Sequence, residues 1–170
     1  MKEKITLTLF CEKEATLISK IVLIFTRKKL QIDHFWVDIC EHTSLYKISI
    51  GYWDDETNSK TIVAILERII EVFCCYTQNE KELETHQILL FKIPIIHKKQ
   101  ITHYPISYLF QEKEHWICCG KIANEHFYTL QNTLTQSTLQ FNKKKKNELI
   151  SIHTTSATRI SQRSSSYSFN

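Results

Sequence analysis

The sequence predicts an α+β protein of two successive units, each a small antiparallel sheet backed by helices on one face. Three observations predict it. Lys4–Cys11 alternates Ile5, Leu7, Leu9 against Thr6, Thr8, Phe10, the period of a strand with one better-buried face. The next stretch changes to a 3–4 spacing, the period of an amphipathic helix. After residue 86 a similar but degraded series of signals returns.

In order, Glu12–Glu14 makes an acidic turn, and Ala15–Lys28 places Leu17, Ile18, Ile21, Ile24 and Phe25 on one helical stripe. Arg27, Lys28 and Lys29 close that helix, where cations complement its negative end. Leu30–Cys40 is rich in β-branched and aromatic residues and reads as a strand, with His34 and Trp36 on one side of it. Glu41–Ser44 is a polar turn, and Leu45–Trp53 a third strand. Asp54-Asp55-Glu56 then sets a helix start, and Thr57–Ile70 a helix through Ile62, Val63, Leu66, Ile69 and Ile70. Glu71–Tyr76 is a short fourth strand. The order βαββαβ is the split, ferredoxin-like arrangement, with both helices on one sheet face. The other face must be solvated, paired or used, and Trp36 and His34 are its candidates.

Beyond a polar linker, Gln87–Ile96 is an apolar strand ended by Pro94. Tyr104–Phe110 and His115–Cys119 read as strands across a charged turn, and Ile122–Leu134 as a helix with Phe127, Leu130 and Leu134 on one stripe. Leu139–Phe141 opens a last strand, interrupted by Lys143–Lys146 and continued by Leu149–Ile152. The expected division is a first domain at 1–78, a linker at 79–86, a smaller, eroded ferredoxin-like α+β domain at 87–153, and a Ser-rich tail at 154–170. The tail, with six serines and few apolar residues, is expected to be disordered.

Composition narrows the chemistry. Two glycines in 170 residues, Gly51 and Gly120, write neither GxGxxG nor a P-loop, which excludes the common nucleotide cradles. Six cysteines form no CxxC, and neighbours such as Cys74-Cys75 point to opposite strand faces, so reduced, buried thiols are expected rather than a metal site. His115, Cys118 and Cys119 suggest a thiol–imidazole pair, but strand parity separates His115 from Cys118. Residues 1–96 carry 12 Lys/Arg against 14 Asp/Glu, and residues 97–170 carry 10 against 4. The basic excess is local, with four charges in Lys143–Lys146, which default to a solvated loop. No apolar stretch approaches a membrane span and no signal-peptide block opens the chain, so a cytoplasmic protein is expected. No catalytic residue and no metal ligand set is assigned.

Leu9–Val37 (LFCEKEATLISKIVLIFTRKKLQIDHFWV) resembles the opening of acetolactate synthase small regulatory subunits, an ACT-domain family, in a divergent Bacteroidetes-type form. Ile24-Phe25-Thr26-Arg27-Lys28-Lys29 matches the family's helix end, and Leu30-Gln31-Ile32-Asp33 stands where the family has Ile-Asn-Ile-Glu. Ile70–Tyr76 with Glu84–Ile93, and more weakly Phe127–Phe141, extend the resemblance to about residues 4–152, good over the first 95. It implies a first unit that is an ACT domain and a subunit that does no chemistry and binds no cofactor itself. Such a subunit stimulates a large catalytic partner, which carries thiamine diphosphate, Mg and FAD, in branched-chain amino acid biosynthesis. It implies a homodimer through ACT domains, in which valine or another branched-chain amino acid sits between one domain's first turn and its partner's second strand.

The aligned effector positions are Lys13, Glu14, Ala15, Thr16, Gln31 and Ile32. A ligand carboxylate is held by backbone N–H groups at a helix start, glycine allows close approach, and side-chain amides complete the site. This chain departs at each point. Thr16 stands for the turn glycine, Lys13 for the turn asparagine and Gln31 for the strand asparagine, with Ile32 kept as an apolar contact. Feedback is therefore expected to be weakened. Two alternatives stand beside this: a stand-alone ACT-type small-molecule sensor, and an RRM-like nucleic-acid module of the same topology. The second is not favoured, because Leu45–Trp53 lacks the glycine-aromatic run and the first unit is net acidic.

Overall fold

A computed structural model describes residues 2–40, 43–142 and 152–154. Strand β1 (Glu3–Cys11), helix α1 (Ala15–Arg27), β2 (Ile32–Cys40), β3 (Leu45–Asp54), α2 (Glu56–Leu66) and β4 (Val72–Asn79) form the first unit. Its sheet runs β2-β3-β1-β4, with every neighbouring pair antiparallel. This is the βαββαβ ferredoxin-like topology that the periodicities predict. Ile5, Leu7, Leu9 and Cys11 of β1 and Ile48, Ile50 and Tyr52 of β3 bury one sheet face under Leu17, Ile21 and Phe25 of α1 and Ile62 and Leu66 of α2. The four-residue spacing of the α1 trio puts it on one stripe, so the helix lies flat on the sheet.

Helix α1 ends in a Schellman closure. Lys29 takes a left-handed φ of 55°, its N–H bonds the Thr26 carbonyl at 3.0 Å, and Leu30 N–H bonds the Phe25 carbonyl at 3.0 Å. A lysine thus fills a place that usually takes glycine. At α2, Asp55 accepts from Asn58 N–H at 2.9 Å as the N-cap, so the acidic trio serves the helix start. The helix stops at Leu66, four residues short of the expected Ile70. Ile69 still packs on the core through a turn, while Ile70 is 94% exposed.

The second unit repeats the pattern with one element shrunken. Strand β5 (His86–Pro94) leads not into a full helix but into a 3-10 helix (Ile95–Ile101), then β6 (Ile106–Glu112), β7 (His115–Ala123), α4 (Asn124–Asn142) and β8 (Ile152–Thr154). The sheet order β6-β7-β5-β8 is the first sheet's order again. Leu89, Phe91, Ile93 and Cys118 pack under Ile101 and under Phe127, Leu130 and Leu134 of α4.

Three sequence expectations are corrected. The segment read as a polar linker is ordered: β4 continues to Asn79, and Glu80–Thr85 forms α3, started by a reciprocal cap between Asn79 and Glu82. Its charged composition hid a capping box. Leu139–Phe141 belongs to α4, not to a strand, because the helix runs on past Leu134 to Asn142. Ile152–Thr154 is a strand, so Thr154 belongs to it and not to the expected tail. Lys143–Lys146, Leu149 and residues 155–170 lie outside the described residues.

The open sheet faces meet each other. Phe10, Cys40, Leu45 and Cys74 of the first sheet and Ile88, Leu90, Ile117 and Cys119 of the second form one shared core. Tyr76 Oη lies 3.1 Å from Cys119 Sγ, and the Phe73 and Phe110 rings are 5.1 Å apart. The cover is incomplete: Trp36 and Trp53, towards the β2 side, stay exposed, and the His34 imidazole lies against Gly51, where a Cβ would stand 2.1 Å from it.

Candidate functional site

The turn between β1 and α1 holds four of the six aligned effector positions. Glu12 N–H bonds the Glu71 carbonyl at 2.9 Å, which ties the turn to the start of β4. Glu14 occupies the N-cap of α1, and its carbonyl accepts from Leu17 N–H at 3.2 Å. Its carboxylate caps no backbone N–H. It accepts instead from the Thr16 hydroxyl. The start of α1 therefore presents a β-branched side chain and a negative charge. A carboxylate ligand would meet that charge where the helix dipole would otherwise draw it in. Lys13, Ala15 and Thr16 are exposed and Glu14 is half-buried.

Gln31 and Ile32 lie elsewhere. The turn follows Cys11, whose register partner is Tyr46, itself paired with Ile39. Ile32 pairs with Tyr52, which pairs with Ile5. The turn thus sits at the Ile39 end of β2 and Gln31-Ile32 at the other, seven residues or about 23 Å apart. Within one chain the six positions fall into two groups at opposite ends of the sheet. A two-fold pairing across the β2 edge runs the strands antiparallel and sets the start of one β2 beside the end of the other.

That edge has the surface for it. Val37 and Ile39, on the helix side of β2, are 36% and 50% exposed, and Val22 of α1 is 37% exposed. Lys20 of α1 bonds Glu71 at 2.7 Å, so that flank of the helix faces β4. Val22 stands about 200° round the helix from Lys20 and faces the β2 side. This patch is an addition to the residues that the sequence singles out. Its signal was there: Phe35, Val37 and Ile39 alternate past the part of the strand that the helix covers. On the other face of β2, Lys4 bonds Asp33 at 2.7 Å and holds its carboxyl below the usual carboxylate range, while burial lowers the His34 imidazole.

The remaining clusters carry structure. All six cysteines are free and buried. Cys75 joins the helix-side core and Cys74 the inter-sheet core, and Cys118 and Cys119 divide in the same way, as strand parity predicts. Burial pushes the Cys11 and Cys118 thiols up to about 12, which keeps them protonated and poorly nucleophilic. The hydrogen bond with Cys119, and burial, likewise hold Cys74 protonated. In register His115 faces Pro94 and Cys118 faces Phe91, so the two share no site. No group of three or more His, Cys, Asp or Glu residues able to hold a metal occurs among the described residues, and none of their helices is long and apolar enough to cross a membrane. The face on which an RRM stacks bases is occupied here: Thr8 and Phe10 of central strand β1 are buried on it, and Tyr52 points into the helix-side core.

No protein-family model matches the chain, and no curated protein matches it in sequence. Solved structures are similar at low identity. The ACT domain from GTP pyrophosphokinase of Chlorobium tepidum is 10% identical over 46% of this chain and 100% of its own, with a TM-score of 0.40. The acetolactate synthase small subunit from Thermotoga maritima is 16% identical over 90% of this chain and 96% of its own, with a TM-score of 0.43. An unknown protein from Galdieria sulphuraria is 7% identical over 91% and 98%, with a TM-score of 0.41. At these identities and scores none of the three bears on what the chain does.

Proposed function

We propose that the chain is a non-catalytic regulatory subunit of the acetolactate synthase type, which pairs with a second copy and stimulates a large catalytic subunit, with weak amino-acid feedback. One observation supports it above the others. The positions aligned with the family's effector site fall into two groups at opposite ends of β2, and a two-fold across that strand's apolar edge brings one group of each copy beside the other group of its partner. Thiamine diphosphate, Mg and FAD belong to the partner in this reading, and the pair works in the cytoplasm.

The weak feedback follows from the turn. Thr16 blocks close backbone approach, and the Glu14 carboxylate beside it repels a ligand carboxylate. The test is holoenzyme reconstitution with and without valine, leucine and isoleucine. Co-purification and a rise in acetolactate formation are expected, with little change on adding the amino acids. Absence of both binding and stimulation would refute the reading. The pairing has its own check by light scattering: Val37→Glu with Ile39→Glu gives monomers where the unaltered chain gives dimers.

A further inference from the structure

The internal repeat leaves one seat short of its helix. On the first sheet α1, 13 residues and about 20 Å long, buries Leu17, Ile21 and Phe25. The same place in chain order on the second sheet, between β5 and β6, holds only the seven-residue 3-10 helix, about 14 Å long, which buries His97 and Ile101. Tyr104, Ile106, Tyr108 and Trp116 are consequently only half-buried on the helix-side face, and Ile96 of the 3-10 helix is 62% exposed.

This shelf carries a held cation. The Tyr108 and Trp116 rings meet edge-on with centroids 5.7 Å apart. Lys98 Nζ stands 4.6 Å from the first centroid and 4.7 Å from the second, and Tyr108 Oη donates to the Lys98 carbonyl at 3.1 Å. Lys98 and Lys99 are both exposed, and no carboxylate among the described residues pairs with either. From Ile95 to Gln111 the chain has two lysines and two histidines and neither aspartate nor glutamate.

We propose that this basic aromatic shelf seats an amphipathic helix with an acidic flank, supplied by the catalytic partner. The proposal rests on the reading above and adds where and how the partner docks. The occupant is a helix because the chain itself covers the equivalent part of its first sheet with one. Its flank is acidic because a carboxylate reaching Lys98 and Lys99 makes charge-assisted bonds that no described residue on this surface supplies. A second copy is the wrong occupant, since two such shelves would set lysine against lysine.

The test uses the full chain and the full-length catalytic subunit, with affinity measured at two salt concentrations. Lys98→Glu with Lys99→Glu changes two exposed side chains. It should leave the circular dichroism unchanged, weaken binding about tenfold or more, and flatten the salt dependence. Trp116→Ala should weaken binding with the salt dependence kept, and amide exchange across β6 should slow in the complex. A complex formed by the double variant at undiminished affinity would overturn the docking and leave the regulatory reading standing. No complex with the unaltered chain would overturn both.

Discussion

The first unit closes its sheet with two full helices, whereas the second closes the same topology with one helix and a seven-residue turn of 3-10 helix. Both nonetheless keep a buried centre. The difference is supplied by the layer between them, where Ile88, Leu90, Ile117 and Cys119 of the weaker sheet lie against Phe10, Leu45 and Cys74 of the stronger one. A sheet with one face buried by its neighbour needs less cover on the other. The second unit has thus lost helix without losing its core, and the first has lent it an otherwise solvated face.

The sharpest way to break this comparison is to damage the shared layer. Phe10→Ala should destabilise the whole chain by about 3–5 kcal/mol, with both units melting in one denaturant transition. Two separate transitions would show that the units stand independently.

The chain's two glycines test the repeat at matching strands, Gly51 in β3 and Gly120 in β7. A Cβ on Gly120 would lie 2.7 Å from the Pro105 carbonyl oxygen, part of the backbone, whereas the nearest atoms to one on Gly51 belong to the His34 ring, at 2.1 to 2.9 Å. Gly120→Ala should therefore cost about 1–3 kcal/mol with no side-chain remedy. Gly51→Ala should cost less, and His34→Ala should remove its penalty in a double-mutant cycle read by urea unfolding. Equal penalties, or no coupling to His34, would contradict the packing described.

Smaller still, Lys29→Gly relieves a left-handed lysine and should raise stability by about 1 kcal/mol, seen as a higher melting temperature. The least effect concerns pH. Burial lowers the His34 pKa in the folded state, so the unfolded chain binds more protons as pH falls below its ordinary value of 6.5. The His34 contribution is intact above that value and declines below it until the depressed folded value is reached. Comparing the melting of the unaltered chain and His34→Gln at pH 7.5 and pH 5 should show the smaller loss in the variant.

Much of the fold was legible because its signals are local. The alternation of Ile5, Leu7, Leu9 and the stripe Leu17, Ile21, Phe25 announce their elements without tertiary help. Other features depend on partners far along the chain. The charged run from Glu80 reads as linker until the reciprocal Asn79–Glu82 bonds are seen, and Leu139–Phe141 is apolar enough to pass for strand while continuing α4. Nothing in the sequence told that two sheets would stack, since Thr8 and Phe10 would suit a wetted face as well as a packed one. The candidate site divides likewise. Its turn and strand positions came from the resemblance, but their separation to opposite ends of β2 required the register.

The junction between the sheets has a mechanical consequence. Gln78 Nε2 donates to the carbonyls of Glu82 and His86, and Lys121 Nζ bonds both the Thr77 carbonyl and Glu82 Oε1, at distances from 2.7 to 3.3 Å. Such a joint is a rivet rather than a tether. Four bonds from one amide and one ammonium pin the junction of the layers, so sliding one sheet over the other would have to break them.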